Sequence, residues 1–596
     1  MAAEIHSTSG KCWLSARVLH LIAIGGLLIS SACVASGNDS SSNLQYTNRL
    51  STLVNGEPFD KSTFGSYLAG RFAERRQDLS VAADMMNRVL RDHPDNDQLL
   101  RRTFNLTLGA GQIDEALQLA EKLAEQKAGT TISLLLLAAR DVKADQYSSA
   151  KTWLQGISNR GLAKYSRPIA AAWIDAGLGK FDEAVASLKP LAAESGFGKL
   201  TDLHTALLHD IAGQSDDALA IYKKATENMS KAPLRMVRAM GASLENANKV
   251  EEARHLYKKY LKNHPTSYLM ASEMQRLKAG KEPKPIAANA PAGFAEGMFN
   301  LASALPLTRG GNHLLLYAQL AIYLKPNFPV AQLLMGDILD HRKRHTDSIA
   351  IYQRIERNSP YSWLARLKIA VNLDRIDRID EAKTLLEEMA KERPTEIEPL
   401  VRLGSFLRAR KDFTGAEHAY NRAFQRLGQS KPKNWSLYYY RGISRERLKK
   451  WDQAEKDFLK ALDLNPDQPN VLNYLGYSWV DQGINLDRAR KMIERAVEQR
   501  QDDGYIIDSM GWVLYRLGEY DDAVQHLERA VELRPLDPII SDHLGDAYWQ
   551  VGRRHEARFQ WRRALSLDPE QDAISKIKTK LEKGLATPAR KPGSGG

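Results

Sequence analysis

Cysteine is nearly absent from this 596-residue chain: only Cys12 and Cys33 occur, both close to the amino terminus. The rest of the chain therefore cannot hold a disulfide scaffold, a zinc finger or a Cys-x-x-Cys redox motif. Its 14 histidines have no cysteine near them in the body of the chain. Lysine and arginine outnumber aspartate and glutamate by 84 to 72, which gives a formal net charge of +12. We expect no bound metal and no cofactor.

The amino-terminal segment has the order of residues that is typical of a bacterial export signal. Lys11 and Arg17 precede a short apolar stretch, residues 18–29, which small residues follow. A helix of that stretch is about 18 Å long, too short for a hydrocarbon core of ~30 Å. We therefore interpret residues 1–32 as a cleaved signal peptide. An uncleaved anchor is the alternative.

The residues before Cys33 resemble a lipobox, the site at which a bacterial lipoprotein is cleaved and acylated on its new amino-terminal cysteine. Ala32 precedes the cysteine as that pattern requires, whereas Ser30 stands where the family usually has leucine. The resemblance implies lipidation of Cys33 and a lipid-anchored protein on the periplasmic side of the envelope. Val34 after the cysteine favours the outer membrane. Plain secretion with cleavage after Ala35 is the alternative.

A repeat of about 34 residues runs through the C-terminal third of the chain. Glycine recurs at intervals of 34, 35 and 34 residues, at Gly442, Gly476, Gly511 and Gly545. Alanine follows each glycine after twelve or thirteen residues, at Ala454, Ala489, Ala523 and Ala557. Small residues at these two positions let two antiparallel helices approach closely. The spacing therefore predicts a series of helical hairpins.

The same register continues towards the amino terminus, with small residues such as Ala138, Ala172 and Gly241 at the position of the glycine. Spacing and residue types resemble the tetratricopeptide repeat (TPR), a 34-residue helix–turn–helix. The resemblance implies an all-α TPR solenoid of about fourteen repeats. The predicted division is a lipoprotein-type signal peptide (1–32), a flexible tether (33–62), six N-terminal repeats (63–267), an insert (268–294), eight C-terminal repeats (295–571), a capping helix (572–585) and a disordered tail (586–596).

Strings that look catalytic fail once their surroundings are considered. His555-Glu556 begins like the zinc-peptidase motif, but Phe559 stands where the second histidine ligand must be. Gly177-Leu178-Gly179-Lys180 lacks the framework of a phosphate-binding loop and fits a turn between helices. We therefore predict no catalytic residues and a protein that is not an enzyme.

In TPR proteins the first helix of each repeat lines an extended inner face, chiefly through its positions 2, 5, 9 and 12. In the last four repeats these positions carry aromatic, acidic and amide side chains, which suit the binding of an extended peptide or a partner helix. The predicted partner-binding residues are Tyr439, Asn473, Tyr477, Tyr505, Asp508, Trp512, Tyr515, Asp542, Asp546 and Trp549. We expect Trp512 and Trp549 to point into the same C-terminal groove.

The combination of lipid anchor and repeats resembles bacterial TPR outer-membrane lipoproteins that act as adaptors of carboxyl-terminal processing proteases. The strings Leu475-Gly476-Tyr477 and Asp508-Ser509-Met510-Gly511-Trp512 carry this resemblance in the C-terminal repeats. It implies a non-catalytic scaffold that recruits a periplasmic protease to cell-wall hydrolases. A scaffold for envelope assembly or for polysaccharide or protein export is the alternative, and an enzyme is a third. Export leaves no role for a nucleic-acid partner.

Overall fold

Helices and the short turns between them make up the whole of the structure. The computed structural model describes residues 62–307 and 311–585, and these residues contain no β-strand. The predicted signal peptide, Cys33, the tether up to residue 61 and the predicted tail lie outside the described residues. The contacts divide the chain into two compact units, Met1–Ala382 and Lys383–Gly596.

The described residues of the N-terminal unit form nineteen α-helices and the start of a twentieth, with a 3₁₀ turn at Met229–Lys231. Their bounds are α1 Thr63–Arg75, α2 Leu79–Asp92, α3 Asp97–Ala110, α4 Ile113–Glu125, α5 Thr131–Lys143, α6 Tyr147–Gln155, α7 Ala163–Gly177, α8 Phe181–Ser187, α9 Lys189–Ala192, α10 Gly198–Ile211, α11 Ser215–Ala225, α12 Leu234–Asn246, α13 Val250–Asn263, α14 Tyr268–Lys278, α15 Ala290–Ala304, α16 Gly311–Leu324, α17 Pro329–His341, α18 His345–Gln353 and α19 Ser362–Arg375. Helix α20, Ile379–Glu392, contains the division between the units.

The C-terminal unit continues the alternation of helices, with a second 3₁₀ turn at Pro432–Asn434. Its helices are α21 Glu398–Ala409, α22 Phe413–Leu427, α23 Trp435–Arg447, α24 Trp451–Leu464, α25 Pro469–Gln482, α26 Leu486–Gln499, α27 Gly504–Leu517, α28 Tyr520–Leu533, α29 Pro538–Gln550, α30 Arg554–Ser566 and α31 Gln571–Lys583.

Among the described residues, consecutive helices of each unit pair as hairpins, six between Thr63 and Asn263, two between Ala290 and Gln353 and five between Glu398 and Ser566. The α8–α9 segment together forms the second half of one hairpin. The predicted all-α solenoid of about fourteen repeats is therefore confirmed. The extra helix α14 lies between the two sets, within the predicted insert.

The small residues that revealed the repeat lie where the two helices of a hairpin come closest. A β-carbon built on Gly511 would lie 2.5 Å from Leu527 Cγ, and one on Gly545 would lie 2.5 Å from Trp561 Cδ1. Ala523, on the helix that faces Gly511, is fully buried. A larger side chain at either position would separate the helices and lose the packing of the seam.

The hairpin α15–α16 occupies the inner face of the N-terminal repeats instead of stacking on α14. Helix α15 packs against α5, α7 and α10, and α16 packs against α3 and α5. Glycines make this approach possible, because a β-carbon on Gly293 would lie 2.2 Å from the ring of Trp173 and one on Gly297 would lie 2.2 Å from Ile169 Cγ2. Trp173 and Ile169 are fully buried by this contact and their own repeat.

Polar groups at this contact are paired. Glu296 of α15 is fully buried and forms an ion pair with Arg235 of α12. The indole Nε1 of Trp173 donates a hydrogen bond to His204 Nδ1 at 3.0 Å. Burial, with a smaller effect from the charge of Arg235, lowers the pKa of His204 to about 3, so the imidazole is neutral.

The contact of α15–α16 with the preceding repeats changes where the chain divides. The sequence places the boundary between two blocks at residues 268–294, whereas the compact units divide at Ala382. Within the insert itself, Ile286 and Ala287 are buried. The first repeat after the insert belongs to the N-terminal unit because its two helices, α15 and α16, fill the groove of that unit.

Candidate protein-binding site

A cavity of about 610 Å³ opens on the inner face of the C-terminal unit. The first helices α25 and α27, the start of α29 and the turn between α23 and α24 form its walls. Four of the predicted partner-binding residues line it: Asn473, Tyr477, Tyr505 and Asp508. We call this space the inner cavity.

Three polar side chains of α25 face the inner cavity at intervals of four residues, Asn473, Tyr477 and Asp481. This spacing places them on one face of the helix. The amide oxygen Oδ1 of Asn473 is buried and has no hydrogen-bond partner among the described residues. Burial raises the pKa of Tyr477, and the charges of Asp508 and Asp481 raise it further. Its hydroxyl therefore stays protonated and can donate a hydrogen bond.

Asp508, on the opposite wall, is buried, and its carboxylate contacts one ring of an aromatic stack. Its Oδ1 lies 2.9 Å from Nδ1 of His543, and the ring of Trp512 stacks on His543 with centroids 4.0 Å apart. The ring of Tyr515 also stacks with that of Trp512, with centroids 4.8 Å apart. Burial lowers the pKa of His543, but Asp508 and the neighbouring carboxylates outweigh it, and the net shift is upward. The stack gives this wall a fixed shape.

Tyr439 packs inside the C-terminal unit and does not line an open surface. Its side chain is only 4% exposed. The rings of Tyr440, Phe458 and Tyr474 lie 5.4, 6.2 and 6.0 Å from its own, centroid to centroid. Its place on the predicted binding face therefore has to be corrected: in this repeat the neighbouring aromatic residues cover the position.

Two predicted acidic residues, Asp542 and Asp546, bind the last helix of the chain. Lys580 Nζ on α31 lies 2.8 Å from Asp542 Oδ2 and 2.7 Å from Asp546 Oδ2. The indole Nε1 of Trp561 also donates to Asp546 Oδ1 at 2.9 Å. Burial raises the pKa of Asp546 to about 6, with Lys580 opposing and Asp542 adding to the rise. These carboxylates hold α31 in place, and their assignment to the partner-binding face stays a prediction.

Trp549 also contacts the end of the chain and does not stack with Trp512. Its Nε1 donates to the carbonyl oxygen of Leu585 at 3.0 Å, and its ring centroid lies 5.4 Å from that of Trp561. The guanidinium carbons of Arg554 and Arg558 each lie 5.1 Å from the centroid of the Trp549 ring. Trp512 and Trp549 thus contact different residues in the structure, whereas the sequence places both in one groove.

Most of the residues that line the inner cavity were absent from the sequence prediction, as was His543, the partner of Asp508. Asp481 lies four residues after Tyr477, one position beyond the predicted set, and helical spacing alone could have identified it. His543 lies on α29, in the repeat that follows that of Asp508, and their pairing depends on contacts between repeats. No sequence signal indicates it.

The described residues contain no group of three or more His, Cys, Asp or Glu residues placed to hold a metal ion. Within the same ranges, no helix has the length and apolar character needed to cross a bilayer.

Family models for repeats match four stretches of the chain. Residues 511–552 match a model described as TPR repeat, and models described as tetratricopeptide repeat match residues 239–267, 435–468 and 542–571. These stretches are therefore tetratricopeptide repeats, and they occur in both compact units. Stacked repeats of this kind form scaffolds for protein binding.

A TPR repeat-containing protein of Pseudomonas aeruginosa is 28% identical over 192 residues, which are 32% of this chain and 32% of that protein. The match thus spans about a third of the relative. Among solved structures, a tetratricopeptide repeat protein from Parabacteroides merdae has 14% identity and a TM-score of 0.35, covering 42% of this chain and 96% of its own. A thermophilic TPR protein of Thermus thermophilus has 22% identity and a TM-score of 0.28, covering 31% and 100%.

Proposed function

We propose that this TPR-containing chain is a non-catalytic adaptor of the bacterial cell envelope, which binds partner proteins in the inner cavity. The observation that carries the proposal is the contrast between two inner faces. The inner face of the N-terminal repeats is filled by the chain's own hairpin α15–α16. The inner cavity of the C-terminal unit is open and presents the unpartnered Oδ1 of Asn473. A buried acceptor without a donor is costly, and a bound partner would supply the donor.

The more specific proposal is that the adaptor recruits a carboxyl-terminal processing protease to cell-wall hydrolases. Its support is the sequence resemblance, because the strings Leu475-Gly476-Tyr477 and Asp508-Ser509-Met510-Gly511-Trp512 include three residues that line the inner cavity, Tyr477, Asp508 and Ser509. In this proposal a lipid on Cys33 anchors the chain to the outer membrane, with both compact units on the periplasmic side.

Affinity purification from detergent-solubilised envelopes tests both levels of the proposal. The bait is the full chain, compared with a variant that combines Asn473→Ala and Tyr477→Ala. We expect a processing protease and a cell-wall hydrolase to copurify with the wild type and to fall at least tenfold with the variant. Recovery of assembly or export components in their place would favour a scaffold of that kind. Equal recovery of partners by both baits would contradict binding in the inner cavity.

A further inference from the structure

The walls of the inner cavity carry more acidic than basic side chains. Four carboxylates line it, against two cationic groups: Glu446, Asp481, Asp508 and Asp537, with Arg447 and Lys449. An excess of one charge in a recessed site attracts a ligand group of the opposite charge. The inner cavity therefore favours a cation over an anion.

Three of the four carboxylates already have partners within the C-terminal unit. Glu446 Oε2 accepts from the hydroxyl of Tyr474 at 3.0 Å and lies 3.5 Å from Arg447 Nε. Asp537 Oδ1 accepts from the backbone N–H of Ile539 at 2.9 Å and caps α29.

Asp508, as described above, is bonded to His543. Asp481 differs from these three. It is exposed, and among the described residues its carboxylate forms neither an ion pair nor a hydrogen bond; only its backbone carbonyl accepts one, from Arg516.

The surroundings of Asp481 suit an organic cation. The rings of Tyr477 and Tyr505 line the same cavity. An aromatic face attracts a lysine or arginine head group, as the Tyr505 ring does with Arg534, whose guanidinium carbon lies 5.0 Å from its centroid. At the other end of the face of α25, Asn473 Oδ1 offers an acceptor for an N–H. Eight residues of helix separate Asn473 from Asp481, about 12 Å along the axis, which about four residues of extended peptide would span.

We infer that the inner cavity selects an extended segment of a partner protein that presents a lysine or arginine side chain. The cation lies at Asp481 beside the tyrosine rings, and a backbone N–H of the same segment donates to Asn473 Oδ1. This inference rests on the proposed function, because it names the chemistry of the segment that the adaptor binds.

Selection from a random-peptide phage library tests the inference with the full chain as target. We expect the recovered peptides to be enriched in lysine or arginine, and an Asp481→Lys variant to lose them. The matched control is Glu498→Lys. Glu498 is also exposed, on α26, and forms no ion pair with another described residue. This control should recover the same peptides as the wild type.

Calorimetry on a selected synthetic peptide completes the test. Replacing its basic residue by norleucine should weaken binding at least tenfold, and added salt should weaken the parent peptide more than the norleucine analogue. If selected peptides lack a basic residue, or if the norleucine analogue binds equally well, the inference is wrong while the adaptor function stands. If no peptide is lost on combining Asn473→Ala with Tyr477→Ala, binding in the inner cavity itself is refuted.

Discussion

Gly293 should not tolerate even one added methyl group. Its β-carbon would lie 2.2 Å from two ring atoms of Trp173, far inside van der Waals contact. The ring cannot move aside freely, because Trp173 is fully buried and its Nε1 is bonded to His204. Overpacking of a core costs about 1–3 kcal/mol, and replacing a helical glycine with alanine returns ~1 kcal/mol. Three ring atoms are affected, so we expect Gly293→Ala to lose about 1–2 kcal/mol of local stability.

Hydrogen exchange followed by mass spectrometry measures that loss in the helices concerned. Amides of α15 and α7 should exchange about tenfold faster for each ~1.4 kcal/mol. The control is Gly198→Ala on α10, because a β-carbon there meets no heavy atom within 4 Å. Its exchange should be unchanged or slower. If Gly293→Ala left the exchange of α15 and α7 unchanged, the hairpin α15–α16 would not occupy the N-terminal groove.

Three further predictions follow from the structure and the sequence. The pKa of His204 in the folded protein lies below its ordinary value, so the unfolded chain takes up a proton first as the pH falls. The free energy of unfolding in urea should therefore decrease by about 2 kcal/mol between pH 7.5 and 5. This decrease should be missing in His204→Gln. A pH dependence shared by both proteins would contradict it. Trp549→Ala should lower the melting temperature by freeing Leu585 and the end of the chain, whereas Trp512→Ala should chiefly weaken partner capture, by roughly tenfold or more; the opposite ranking in melting and binding assays would refute the assignment. Cys33→Ser should abolish palmitate labelling and normal signal cleavage, and labelling that persists would exclude acylation of Cys33.

The repeated hairpin was predictable because its cause is local. Each pair of helices needs small residues where they cross, and the chain repeats that demand every 34 or 35 residues, as at Gly511 with Ala523. The inner positions of α25 follow from the same register, which is why Asn473 and Tyr477 could be named from the sequence and are found on the wall of the inner cavity.

The filling of the N-terminal groove was not predictable, because it depends on contacts between distant repeats. Gly293 and Gly297 follow a proline-rich stretch and are typical of a linker or a turn, yet they allow α15 to approach Trp173 and Ile169. One signal was present in the sequence. Glu296 is a lone acidic residue in an apolar run, and such a residue needs a buried cationic partner.

The predicted site residues that do not line the inner cavity lie elsewhere for a related reason. The position of Tyr439 in its repeat is equivalent to that of Asn473, but its neighbours in the array cover it with aromatic rings. Asp542 and Asp546 would be open at the end of the array if α31 did not bring Lys580 onto them. The register of the repeat predicts on which side of its helix a residue lies. The contacts of the neighbouring helix determine whether that side is exposed.

Site-specific photocrosslinking in living cells tests directly whether a partner protein binds in the inner cavity. A benzophenone amino acid at position 477 places the probe in the inner cavity, and the same probe at position 498 places it on an exposed part of α26. We expect position 477 to crosslink to a discrete partner protein, and adding Asp481→Lys to abolish the product. Crosslinks at position 498 with none at 477, or a product at 477 that Asp481→Lys and Asn473→Ala leave unchanged, would contradict it.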